Sequence, residues 1–151
     1  MTADEIIRNQ RSISVVINMI LSGVFFVLVF GFSARVLSFG TPDRLALDFV
    51  PQGLAIGFFS ALVPTLIVAA KRQKSDIAGI ARCDANTKAI LLRAIGFALM
   101  AAVIGGVVAT ASVMSGGEMG FFTALAMKMI FGAALGWLIT PRAVSIVLRK
   151  D

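Results

Sequence analysis

The sequence predicts an all-α integral membrane protein, a four-transmembrane-helix bundle, on the strength of three observations. Of 151 residues, 58% are hydrophobic and only 15% are charged, against roughly 45–50% and about 25% in an ordinary soluble domain. The apolar residues gather into four long runs, each near the ~20 residues needed to cross about 30 Å of hydrocarbon. The basic residues fall almost entirely on one side of those runs.

The first span covers 13–34 and is bounded by Arg11 and Arg35. It is rich in Phe and Val, which marks it as the most lipid-exposed of the four. Ser14, Asn18 and Ser22 recur through it at four-residue spacing. Such a stripe reads first as interhelical glue, because an asparagine in lipid requires a partner. The run is too long for a signal peptide, and no small-residue cleavage site follows it. The second span, 45–70, is stopped by Lys71, Arg72 and Lys74. Pro51 lies in its first two turns, where proline costs little, whereas Pro64 lies inside it and predicts a kink. The third span is 89–114, with Arg93 close enough to its start to snorkel. The fourth is 119–140, ended by Pro141 and Arg142. Gly116 and Gly117 form the turn between the third and fourth.

Counting Lys and Arg by side gives the orientation. Arg8, Arg11, Lys71, Arg72, Lys74, Arg82, Lys88, Arg93, Arg142, Arg149 and Lys150 fall on one face, and only Arg35 and Arg44 on the other. Both termini and the basic 71–88 loop are therefore expected in the cytoplasm, with a bacterial inner membrane as the default location. The segment 75–87 has modest helical character and is expected to lie on the membrane surface. A weak repeat at an offset of about 77 residues sets Arg11 on Lys88, Pro64 on Pro141 and Arg72 on Arg149, so the chain reads as two helical hairpins in one membrane domain, 1–151.

Helices in lipid associate through small residues that let backbones approach. Gly53, Gly57 and Ala61 supply a four-residue stripe in the second span, Ala98, Ala102, Gly106 and Thr110 in the third, and Ala124, Gly132, Gly136 and Thr140 in the fourth. Three such stripes predict a tight bundle, with a surplus face for a second copy or a larger assembly.

The net charge of +6 is accounted for by stop-transfer residues resting on an anionic leaflet. No aromatics interleave the basic residues of the 71–93 stretch, so nucleic acid is not expected as a partner. The chain has no histidine and one cysteine, Cys83, which removes the usual general base and the common metal-ligand sets. No cofactor, metal or enzymatic activity is expected.

Lys128 is the outlying residue. It is the tenth residue of the 119–140 span, which puts its Cα near the bilayer midplane, where an ammonium costs about 2.5–3.5 kcal/mol on insertion scales. It shares a stripe with Ala124, Gly132 and Gly136, so it faces protein. Asp48, four residues into the second span, is the expected partner, reached directly by the two side chains or through Gln52 or water. The pair reads either as a structural lock or, with Gln52 and Asn18, as part of a polar path. Two functions follow. One is an accessory or interaction subunit of a membrane assembly; the alternative is a pathway for a small solute or ion, anion- or proton-linked.

Overall fold

The protein is described by a computed structural model covering residues 2–73 and 86–148. Lys74, Arg82, Cys83, Arg149 and Lys150, and most of the basic loop with its expected surface segment, lie outside the described residues. Among those described are four helices, α1 (Ala3–Phe30), α2 (Phe49–Gln73), α3 (Thr87–Met114) and α4 (Phe121–Leu148), and two short strands, β1 (Val36–Ser38) and β2 (Glu118–Gly120). All four helices are long and apolar enough to cross a membrane.

The helix starts follow from capping chemistry. The Thr2 hydroxyl accepts from the Glu5 amide while the Glu5 carboxylate accepts from the Thr2 amide, a reciprocal box that satisfies two orphan donors. The Asn86 side chain likewise accepts from the amides of Lys88 and Ala89. α1 therefore begins well before residue 13, adding a polar amphipathic segment to the expected span. α4 runs through Pro141 to Leu148 rather than stopping at the proline. A proline deletes one backbone bond but need not end a helix whose next turn is packed, and Ala143, Val144, Val147 and Leu148 are all buried. α2 continues through the buried Pro64 in the same way.

The packing is not that of two closed hairpins. α1 lies against α4, and α2 lies against both α3 and α4, whereas α1 barely meets α2 and α3 barely meets α4. Each outer helix thus takes its main neighbour from the other half of the chain. Close backbone approach makes this possible. A Cβ on Gly53 would stand 2.5 Å from the Ala101 carbonyl oxygen, and one on Gly57 2.6 Å from the Ala101 Cβ. On the other side, a Cβ on Gly136 would stand 2.5 Å from Asn18 Nδ2, and one on Gly132 would collide with Ser22 Oγ. Gly106, expected to pack, has nothing within 4 Å of such a carbon; its neighbour Gly105 is the residue pressed against Phe49.

The end of the bundle away from the chain termini carries a built cap where short turns were expected. β1 pairs antiparallel with β2, with Val36 opposite Gly120, Leu37 opposite Met119 and Ser38 opposite Glu118. Leu37, Leu45 and Ala46 are fully enclosed beneath it and join Phe26, Phe49 and Phe121 in one apolar cluster. Asp43 ties the cap together: one carboxylate oxygen accepts from the Ser38 amide at 3.0 Å and the other from Arg35 at 2.7 Å. The Ser38 amide first, and the Arg35 guanidinium after it, hold the Asp43 carboxyl below its ordinary pKa. Residues 45–48 belong to this cap, so α2 starts at Phe49, four residues later than hydropathy alone suggests. Met119 likewise lies in β2 and α4 starts at Phe121.

Candidate functional site: an intramembrane polar core

The buried face of α1 is Ile6, Gln10, Ser14, Asn18, Ser22 and Phe26, one residue every four. A helix with 3.6 residues per turn that buries every fourth position must cross its neighbour at an angle, and its polar positions then fall one per turn on the same seam. The neighbour is α4, whose glycines and Thr140 leave room for them. Near the middle of the bundle Asn18 Nδ2 donates to Ser14 Oγ at 3.1 Å and to Ser60 Oγ at 2.7 Å. The Thr140 hydroxyl donates to the Ser60 carbonyl at 3.1 Å and shares a hydrogen bond with the Ser14 hydroxyl at 2.7 Å. Three helices are joined by this one cluster, and all four side chains are buried.

A second cluster lies nearer the strand end. Gln52 Nε2 donates to Ser22 Oγ at 2.8 Å and to the Lys128 backbone carbonyl at 3.2 Å. These bonds put Gln52 and Lys128 at one level, with Asp48 a turn farther out. The Lys128 stem leans toward the start of its own helix, as helical side chains do, and brings Nζ to 2.9 Å from Asp48 Oδ2. The ion pair lies off the axis a hydrogen bond needs, so Nζ has no hydrogen-bond partner. Its other neighbour is the face of Phe49, whose ring centroid lies 3.6 Å away, a geometry in which the ring quadrupole attracts a cation. Phe49 is in turn held edge-on by Phe131, 5.0 Å between centroids.

Burial divides unevenly within the pair. The Lys128 side chain is 1% exposed and that of Asp48 24%. Lys128 is seven residues past the start of α4, about 10 Å at 1.5 Å per residue, in the part of the helix nearest the cap rather than at its centre. The depth expected to separate it from Asp48 is too large: Gln52 lies level with Lys128, so Asp48 is one helical turn, about 6 Å, farther out. Of the expected arrangements the direct contact is the one observed, and Gln52 holds the lysine's backbone.

Ser60 and Phe49 were not singled out from sequence, although each touches a residue that was. Ser60 is a lone hydroxyl in an apolar run, and Phe49 is one of twelve phenylalanines; neither has a periodic signal of its own. Toward the termini, the Arg11 guanidinium lies 5.5 Å from the Trp137 ring, and the buried Arg72 donates to the Val147 carbonyl. Among the described residues no three His, Cys, Asp or Glu side chains gather as a metal site would require. Comparison with protein-family models, curated proteins and solved structures finds no match to this chain.

Proposed function

We propose that the protein is a small polytopic membrane protein that serves as an accessory or interaction subunit of a membrane assembly, oriented with both termini in the cytoplasm of a bacterial inner membrane. One observation carries the reading: the polar side chains within the spans are bonded to one another across α1, α2 and α4. A core cross-linked by side-chain hydrogen bonds between three helices behaves as a rigid body, which suits a part that others assemble upon. The repeated order of helix, strand and helix in the two halves also fits an origin by duplication of a hairpin.

Extraction into lipid nanodiscs without detergent, from cells expressing the tagged chain at native level, tests the proposal. Stoichiometric recovery of additional copies or other membrane chains is expected. Recovery of a bare monomer under those conditions would remove the basis for the reading.

A second reading, a small-solute or ion pathway, draws on a specific feature: Asp48 is partly exposed at the cap, and behind it Lys128 Nζ and Gln52 Oε1 have no hydrogen-bond partner. Lys128→Cys in a Cys83→Ser background distinguishes the two. Rapid reaction with a small polar thiol reagent supports the pathway; an inert thiol in a folded protein rules it out.

A further inference from the structure

Because α3 and α4 barely meet, a groove opens between them on the half nearer the termini, floored by α2. Ala61 and Thr65 form the floor, Arg93 and Phe97 one wall, and Ala143 and Ile146 the other, around a void of about 10 Å³. Phe97, Arg93 and Ile146 are partly exposed, so the groove is open along its side. Two of its polar groups are unmet. Thr65 is 4% exposed and its hydroxyl has no hydrogen-bond partner. Arg93 forms no ion pair or hydrogen bond among the described residues, whereas Arg142 nearby donates to the Leu138 carbonyl.

A groove lined by an arginine with no partner among the described residues and by a buried unmet hydroxyl, between apolar walls, has the chemistry of a receptor for an amphiphile with an anionic head. We propose that the groove binds one anionic phospholipid from the leaflet at the termini side. Its phosphate lies on the Arg93 guanidinium and one acyl chain runs along Phe97, Ala143 and Ile146. The void at Thr65 has the size of one water, which joins the hydroxyl to an ester oxygen of the lipid. Arg93 is the seventh residue of α3, about 9 Å from its start, within reach of the headgroup level for a side chain that extends toward the helix N-terminus. The site is independent of any role in an assembly.

Native mass spectrometry of the purified chain in non-ionic detergent, titrated with phosphatidylglycerol or phosphatidylcholine, tests it. The first phosphatidylglycerol is expected to bind about tenfold more tightly than phosphatidylcholine, whose phosphate charge is offset by its own quaternary ammonium. Arg93→Gln should abolish that preference and Arg142→Gln should leave it intact. Equal affinity for the two lipids, or a preference that survives Arg93→Gln, overturns the proposal. So does displacement of the lipid by millimolar inorganic phosphate, which would identify a site for a free anion. The wild-type comparison stands without any variant, and Arg93→Lys, which keeps the charge, should retain a weakened preference.

Discussion

Lys128 and Asp48 carry opposite charges but unequal burial, and the inequality sets what each is worth. Asp48→Asn leaves an enclosed ammonium with a ring face and an amide oxygen, and breaking a buried pair from that side costs about 3–5 kcal/mol. Lys128→Met leaves a carboxylate already 24% exposed at the cap, which water can reach; the loss there is nearer the ~1 kcal/mol of a surface pair. Unfolding free energies in mixed micelles should rank Asp48→Asn well below Lys128→Met. Lys128→Met/Asp48→Leu should be more stable than Asp48→Leu alone. If the double variant is no better tolerated than either single one, the two residues are not coupled. The lysine could be read from the sequence because a charge within an apolar run has few places to go, and the short list of acids named its partner. The role of Phe49 could not, since stacking depends on where α2 begins, and that is decided by the cap.

Within each element, spacing decides which small residue does the packing. The buried face of α1 advances by four at every step, so its polar stripe was legible from residue numbers alone. That of α3 runs Ile90, Ala94, Ala98, Ala101, Gly105, Ala109, slipping once to a step of three. The slip shifts the seam by one residue and turns Gly106 outward, which a strict four-residue pattern cannot show. Gly105→Ala and Gly53→Ala drive a methyl into facing backbone and should each destabilise by about 1–3 kcal/mol. Gly106→Ala meets nothing and, as a better helix former, should be neutral or stabilising by up to about 1 kcal/mol. Thermal melts of the three variants check this; equal losses at Gly105 and Gly106 would contradict the described seam. The strands escaped notice because three residues are too few to show an alternating pattern.

At the scale of the whole molecule, hydropathy located four apolar runs but not which helices touch, because lipid-facing and helix-facing apolar residues look alike in composition. The observed partnering crosses the midpoint of the chain: α1 with α4, α2 with α3, and β1 with β2. The halves 1–73 and 86–151, expressed as separate chains, should therefore be degraded alone yet copurify when made together. Stable accumulation of either half by itself would argue that the within-half contacts suffice.

That crossing has a consequence for biogenesis. Ser14 and Thr140, which bond in the finished protein, are separated by 126 residues. At about 5–20 residues per second, a ribosome takes on the order of 6–25 s to make the second after the first. Throughout that interval Ser14 lacks its partner on the last helix, whereas Ser60 and Gln52 follow Asn18 and Ser22 after 42 and 30 residues. The first helix must wait beside the insertion machinery, or with its hydroxyls turned onto its own carbonyls, until the last helix arrives to release it.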